Sequence, residues 1–421
     1  MVLSRPFSAV HLPPSLNFCV CFVKVQSYFI STMPSTSSTQ FTFWRRFLSP
    51  LIKPRFKRSS GATLPEYVPP PPTNEQLEWA DLAIIDLSKA ETPEGRSALA
   101  QEVVEAMNSQ GFFYVINHGY TIEQTRRIFS IANMTFDDVD GGEKKKYTGK
   151  SPAVYEGYKP RHTWQIEQGV TDEIEHYNVN HDVYKKDHPS ALRPHLDEID
   201  KFARHNHTHI LTTILRLMAT GMELPEDTFV NMHRFDVAGE SSGGYYLFFT
   251  APFLLDNFIA VRFMKYYPRT TEKTNVYLKG HTDIGSITIL WSQPISGLQI
   301  FQKDSVWRNI KHIENALVVN SGDVMRALSG GFYKPTIHRV IQPPKDQAAL
   351  ERLGVFYFAM AADDVKLASV LESEENGSAP MMGEWRRERT EKYGTGSMRP
   401  SSKEDLVEEE VILGVVVKEY N

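Results

Sequence analysis

Three histidines in the chain have a carboxylate two residues downstream: His195-Leu196-Asp197, His281-Thr282-Asp283 and His312-Ile313-Glu314. Such a pair can address one ion only where the backbone sends both side chains the same way. Extended chain does this, because residues i and i+2 share a strand face, whereas a helix turns them about 200° apart. His281 and Asp283 open the stretch KGHTDIGSITILW, which continues with strand character. His195 and Asp197 sit in a helical pattern and read as a solvated face. His312 and Glu314 are strand-compatible but lie in a polar, edge-like run with no evident partner. His205 and His209 share a helix face at a spacing that can bind zinc, yet no carboxylate-bearing motif accompanies them. A third ligand for His281 and Asp283 should come from another strand, and YKPTIHRVIQPP offers His338. Two histidines and one carboxylate on one side of an ion leave positions open for small ligands, the facial arrangement used for non-haem Fe(II) and oxygen. The competing reading, a core histidine satisfied by a hydrogen bond, holds for most lone histidines.

Bulk composition narrows the rest. With 421 residues the chain can bury a sizeable core, and 41% hydrophobic and 23% charged residues are ordinary for a soluble protein. A net charge of −5 gives no global reason to expect nucleic acid or an anionic membrane as partner. A monomer acting on a small-molecule substrate is expected, with neither nucleic acid nor membrane as partner. The two cysteines, Cys19 and Cys21, both lie near the N-terminus, so any metal further along must be held by nitrogen and oxygen.

The elements that must position these residues follow a basic leader. Residues 1–65 hold no Asp or Glu but include Arg45, Arg46, Lys53, Arg55, Lys57 and Arg58 among many serines. That is the composition of a mitochondrial transit peptide; a disordered leader of a cytoplasmic protein, or a start placed too early, with Met33 as another start, are the alternatives. The leader and a proline-rich linker occupy 1–75 and are expected to be disordered. A helix-rich region spans 76–240. LAIIDLS and GFFYVINHG read as strands, EGRSALAQEVVEAMNSQ and residues 122–134 as helices. Residues 193–222 form one long helical pattern with Leu211, Ile214, Leu215 and Met218 on a stripe. From 261 to 365 the period changes to two, and VRFMKYYP, SITILWS, GLQIFQ, WRNIKHI, ALVVNSGDV, TIHRVIQ and RLGVFYFAM are strand candidates of an antiparallel sandwich or barrel. The segment 366–421 reads as peripheral.

Residues 241–260 do not fit this plan. SGGYYLFFTAPFLLDNFIA is apolar and aromatic but broken by Pro252, Asp256 and Asn257, and is too interrupted to span a membrane. It reads as a substrate lid, a partner-binding loop, or translated intron sequence whose removal joins GES to VRFMKYYP.

Between Leu82 and Met360 the order and spacing of IIDLS, GFFYVINHG, RFMKYYP, GHTDIGSITILW, GLQIF, ALVVNSGD, LSGGFYKPTIHRV and RLGVFYF resemble the Fe(II)- and 2-oxoglutarate-dependent dioxygenases of the isopenicillin N synthase-like group. The resemblance implies a mixed α+β fold, a distorted double-stranded β-helix or jelly roll with flanking helices and a helix-rich N-terminal half. It implies that His281, Asp283 and His338 hold iron, that Arg352 grips the distal carboxylate of 2-oxoglutarate, and that Tyr267 hydrogen-bonds the same cosubstrate. A planar guanidinium suits that task, since it meets a carboxylate through two parallel hydrogen bonds. Two departures stand out. The group usually carries Arg-x-Ser, but here Gly354 follows Arg352-Leu353, and the segment QPPKDQAALE before Arg352 is longer than usual. Lys265 also stands where many relatives carry Asn, a change expected to alter the pocket.

The implied reaction couples decarboxylation of 2-oxoglutarate by O2, giving succinate and CO2, to hydroxylation or desaturation of a substrate. Trp164, Trp291, Phe356 and Tyr357 are candidates to line its pocket, against the simpler reading that they are core. GYKPRHTW and RLGVFYFAM resemble fungal members, often enzymes of secondary metabolism, which favours a small, largely apolar molecule. An Fe(II)/O2 oxidase of the same fold without 2-oxoglutarate, and a catalytically silent binding protein, are the competing readings.

Overall fold

The computed structural model describes residues 64–149, 157–235, 259–269, 273–371, 379–392, 399–400 and 407–420. The basic leader up to residue 63 and residues 241–258 of the unexplained insert lie outside these. Ile259 and Ala260, also assigned to that insert, belong to a strand.

Local signals start the N-terminal elements. After β1 (Ile84–Asp86), the Thr92 hydroxyl caps α1 (Pro93–Ser109) by accepting from the Gly95 amide, and Pro93 takes the first helical position, where its missing N–H costs nothing. Beyond β2 (Phe112–Ile116), α2 (Ile122–Asp137) opens with a reciprocal capping box between Thr121 and Gln124. The short α3 (Gly141–Lys146), β3 (Gly157–Lys159), β4 (Gln165–Glu167), β5 (Val170–Thr171) and β6 (Ile174–Asn180) follow.

The stretch predicted as one helix is divided. α4 (Leu196–His205) passes through a π-helical turn at Asn206–Leu211 into α5 (Thr212–Gly221). The widened turn aims two polar side chains at the sheet: the Asn206 carbonyl accepts from Trp291 Nε1 at 3.1 Å, and His207 Nδ1 lies 2.7 Å from the Tyr357 hydroxyl. The apolar stripe of Leu211, Ile214, Leu215 and Met218 is buried as its spacing requires.

The remaining strands are β7 (Ile259–Tyr266), β8 (Val276–His281), β9 (Ile287–Trp291), β10 (Leu298–Phe301), β11 (Trp307–Asn309), β12 (Leu317–Ser321), β13 (His338–Ile341) and β14 (Arg352–Ala359), with α6 (Asp323–Leu328) after β12. An 8-stranded sheet runs β1-β2-β12-β9-β14-β7-β6-β3. The C-terminal α7 (Met382–Lys392), β15 (Arg399–Pro400), β16 (Val407–Ile412) and β17 (Val415–Tyr420) complete a 7-stranded sheet, β11-β10-β13-β8-β17-β16-β15. The two sheets face each other as a jelly roll.

The larger sheet is buried on both faces, which explains why strands such as ITILW and LVVNS are almost continuously apolar. One face packs Val319, Ile289, Val355 and Phe263 against the helices. The other packs Val318, Leu290, Met264 and Tyr266 against Tyr277, Leu298, Ile300 and Val340 of the smaller sheet. Trp291 and Tyr357 belong to the helix-facing side, so they are core residues, not pocket walls; Trp164 and Phe356 border the cluster between the sheets. Lys265 also points away from the pocket. Its ammonium lies 2.6 Å from Asp137 and 2.8 Å from Glu351, tying α2 to the sheet.

Two segments expected to be loose are built in. In the linker, Thr73 and the Asn74 amide bond Asp346, and Gln347 donates to the Pro71 carbonyl at 2.9 Å. The long QPPKDQAALE connection is thereby fastened just ahead of Arg352. At the other end, Met382, Trp385, Val407, Ile412 and Val417 are buried, so the C-terminal segment is part of the core instead of peripheral.

His233 is fully enclosed behind this core. Its Nδ1 lies 2.7 Å from the Phe229 carbonyl, which only accepts, so Nδ1 carries the proton and Nε2 accepts from the Ser286 hydroxyl at 2.6 Å. Burial pushes the imidazole down to about 4. The unfolded chain, with a histidine near 6.5, therefore binds more protons between those values, and His233 lowers stability as pH falls through that window. Denaturant unfolding of wild type and His233→Gln from pH 4 to 7 is expected to show wild type losing stability relative to the variant below about pH 6.5. Parallel curves would contradict the assignment.

Candidate functional site

β8 ends on His281 and β13 begins on His338, and the two residues are directly paired across the antiparallel ladder. Paired residues point to the same face, so the imidazoles meet with ring centroids 4.5 Å apart. Asp283 lies in the turn after β8. That turn is held against the start of α6: the Asp323 amide donates to the Asp283 carbonyl at 2.8 Å and the Gly322 amide to the Ser286 carbonyl at 2.9 Å. A β-carbon at Gly322 would stand 2.3 Å from the Gly285 carbonyl oxygen and 2.6 Å from that of Asp283, so this approach requires glycine.

The side chains converge. Asp283 Oδ1 is 3.9 Å from His281 Nε2 and 3.7 Å from His338 Nε2. Among the described residues, these three form the only group of three or more His, Cys, Asp or Glu side chains whose ligand atoms all lie within 4.8 Å of one another. Their hydrogen bonds leave the right atoms available. His281 Nδ1 faces the Lys279 carbonyl at 2.8 Å and His338 Nδ1 the Thr336 carbonyl at 3.1 Å, so each Nδ1 holds its proton and each Nε2 lone pair points into the site. Asp283 Oδ2 accepts from Thr288 at 2.6 Å and Asn320 at 2.8 Å, which leaves Oδ1 facing the imidazoles.

Electrostatics favour the same protonation states. Burial, with His338 alongside, pushes His281 down to about 4, so its ring is neutral near neutral pH. Burial alone would raise the Asp283 carboxyl, but the two imidazoles and the bonds from Asn320 and Thr288 outweigh it and hold it below the usual range. Two neutral nitrogens and one ionised oxygen fit a divalent iron ion and leave one side of it open.

The rival histidines are engaged elsewhere. His195 Nδ1 lies 3.0 Å from Glu198, and Asp197 accepts from the Tyr184 hydroxyl. His312 Nδ1 is 2.8 Å from the Ser292 hydroxyl, while Glu314 approaches Arg126 at 3.7 Å. His205 Nε2 meets the His118 carbonyl at 2.8 Å.

Arg352 opens β14 on the face directed between the sheets. It is 4% exposed; Nε reaches the Ile295 carbonyl at 3.3 Å, while Nη1 is buried with no hydrogen-bond partner among the described residues. A buried guanidinium left short of a partner is costly, and a carboxylate is the group that best satisfies it. The structure does not bring Tyr267 into this group. Arg352 pairs with Tyr266, so Tyr266 shares its face, with its ring 5.1 Å from the guanidinium carbon. Tyr267 falls on the opposite side, donating to Glu175 at 2.9 Å. Two adjacent tyrosines carry no local signal for which one points inward; the β7–β14 register decides it.

Residues 82–200 match the family described as non-haem dioxygenase in morphine synthesis N-terminal, and residues 258–360 match the 2OG-Fe(II) oxygenase superfamily. Jasmonate-induced oxygenase 2 of Arabidopsis thaliana is 28% identical over 344 residues, 77% of this chain and 83% of that protein. The 2-oxoglutarate-dependent dioxygenase tropC of Talaromyces stipitatus is 27% identical over 276 residues, 60% of this chain and 78% of its own. In fold, the chain is similar to a full-length protein of Neurospora crassa solved in complex with alpha-KG, with a TM-score of 0.61 at 21% identity, covering 73% of this chain and 95% of that one. The second of the two matched regions carries His281, Asp283 and His338, and the chain belongs to the 2OG-Fe(II) oxygenase superfamily, as a dioxygenase that uses Fe(II) and 2-oxoglutarate.

Proposed function

We propose that the enzyme hydroxylates or desaturates a small, largely apolar molecule, with iron on His281, Asp283 and His338 and with 2-oxoglutarate anchored by Arg352. The observation that carries the reading is the unsatisfied Nη1 of Arg352, buried between the same two sheets as the three metal-binding side chains. Bound together, Fe(II) and 2-oxoglutarate supply the O2-dependent oxidation. The chain's own residues bind, orient and exclude water. His281 and His338 offer neutral Nε2 atoms, and Thr288 and Asn320 fix which oxygen Asp283 presents.

The substrate wall follows from β14. Phe356 and Phe358 stack with ring centroids 5.7 Å apart, and Phe358 is paired with Thr288, the residue that bonds Asp283. An apolar surface therefore lies beside the metal ligand, where it can hold a C–H bond and keep water out. Arg262, 4.9 Å over the Phe358 ring and bonded to Asn178 at 2.7 Å, adds a charged contact. Trp164 is fixed nearby: its amide donates to Asp172 at 2.6 Å, and Lys159, paired with the same carboxylate, lies 4.1 Å from the indole. The wording of GYKPRHTW and RLGVFYFAM supports a place in fungal secondary metabolism.

Gly354, where the group carries serine, has a steric partner. A β-carbon there would stand 2.6 Å from Phe356 Cε2, so the ring occupies the space a serine would need. The distal carboxylate of 2-oxoglutarate thus relies on Arg352 without a hydroxyl from position 354.

Steady-state kinetics of succinate release, with candidate apolar substrates, test these roles. Arg352→Lys is expected to raise KM for 2-oxoglutarate at least about tenfold, the loss of one charge-assisted hydrogen bond, with metal affinity kept. An unchanged KM would remove Arg352 from the pocket. Gly354→Ser alone is expected to lower stability by about 1 kcal/mol without tightening 2-oxoglutarate, because the hydroxyl competes with the ring. Gly354→Ser combined with Phe356→Ala should lower KM for 2-oxoglutarate by about tenfold. If the single substitution tightens the cosubstrate as much as the double, Phe356 is not the obstacle.

A further inference from the structure

The C-terminal hairpin sits against the strand that ends on His281, one of the candidate iron ligands. β17 pairs antiparallel with β8, Glu419 opposite His281 and Tyr420 opposite Gly280. The ladder continues one residue past β8: the Thr282 amide donates to the Lys418 carbonyl at 3.3 Å. Thr282, 1% exposed between the two ligands, also places its hydroxyl 2.9 Å from Asp323 Oδ1 and 3.2 Å from the Lys418 carbonyl. Asp323 is in turn bonded through its amide to the Asp283 carbonyl. One hydroxyl thus joins the C-terminal strand, the start of α6 and the turn that carries Asp283.

The hairpin is anchored well enough to act as a support. Val407, Ile412 and Val417 are buried, the last two in the helix-facing core, and Lys418 pairs with Glu409 of the neighbouring strand at 3.4 Å. Its tight turn uses left-handed backbone at Leu413 (φ 47) and Gly414 (φ 89), the geometry that suits a two-residue hairpin connection.

We infer that β17 is the positioning element of the metal turn, acting through Thr282, so that the C-terminal hairpin sets how tightly and in what geometry His281 and Asp283 hold a divalent cation. The inference rests on the reading of these residues as the metal site. Thr282 touches neither substrate nor cosubstrate in this scheme; it orients the two ligands on either side of it. Without its hydroxyl and its tie to β17, His281 and Asp283 keep their chemistry but lose their fixed spacing.

The test uses the full-length apo-protein and Co(II), whose visible absorption reports coordination geometry, with affinity measured by calorimetry. Wild type, Thr282→Val, Thr282→Ser and Glu419→Pro are compared, proline being chosen because at Glu419, opposite Glu408 of β16, it disrupts the hairpin that supports β17 against β8. Expected are at least tenfold weaker Co(II) binding and an altered absorption band in Thr282→Val and Glu419→Pro, with Thr282→Ser close to wild type in both. If Thr282→Val fails to fold, Glu419→Pro carries the comparison. Wild-type affinity and spectrum in a folded Thr282→Val or Glu419→Pro would overturn the inference and leave the metal site standing, as would a serine variant as impaired as the valine one. Absence of Co(II) binding by wild type would remove the metal site itself and the inference with it.

Discussion

Asp283 is the residue on which both sheets depend. Its carboxylate is largely buried, and a charged oxygen can be taken out of water only if each lone pair is met by a donor or a cation. Oδ2 finds Thr288 and Asn320, on β9 and β12 of the larger sheet, while Oδ1 faces His281 and His338, on β8 and β13 of the smaller one. The site therefore exists only when the two sheets close on each other. The apolar cluster of Leu290, Val318, Met264, Tyr277 and Ile300 drives that closure.

The two ends of this chamber are secured by segments distant in sequence. At the Arg352 end, Asp346 and Gln347 clasp the proline-rich stretch at residues 71–74, so the long connection before β14 is fixed where the guanidinium must be aimed. At the metal end, β17 lies along β8 and reaches Thr282 through the Lys418 carbonyl. Between them, Phe356 and Phe358 form an aromatic surface running from the covered Gly354 to the neighbourhood of Thr288. In the proposed scheme the iron ligands, the aromatic wall and Arg352 thus follow one another through the space between the two sheets.

What was legible in sequence was local. His281 and Asp283 could be separated from His195 and Asp197 because i,i+2 geometry differs between strand and helix, and from His312 and Glu314 because those lie in a polar, edge-like run; His338 and Arg352 stood in runs whose β-branched and aromatic residues marked strands. The change of period after residue 261 marked an antiparallel sandwich or barrel, and the jelly roll itself was implied by the family resemblance. What was not legible depends on pairing between remote segments. The register of β7 against β14 turns Tyr266 inward and Tyr267 outward, and no residue near YYP encodes that choice. The π-turn at Asn206–Leu211 answers to polar partners on β9 and β14, not to its own apolar stripe. Trp291 and Tyr357 could be read as core or as pocket lining, because aromatic character does not say which face of a doubly buried sheet a side chain occupies. The C-terminal hairpin showed only as VILGVVV, with nothing to say that its neighbour would be the ligand-bearing strand.

In the proposed site His281, Asp283 and His338 hold Fe(II) with a side open to 2-oxoglutarate, itself aimed by Arg352. Anaerobic titration of the full-length protein with Fe(II) and then 2-oxoglutarate, followed in the visible, tests it most directly. Expected is a charge-transfer band that saturates at one equivalent of each, absent in Asp283→Ala and needing much more 2-oxoglutarate in Arg352→Ala. A wild-type protein that gives no band, or an Asp283→Ala protein that gives the full one, would contradict it.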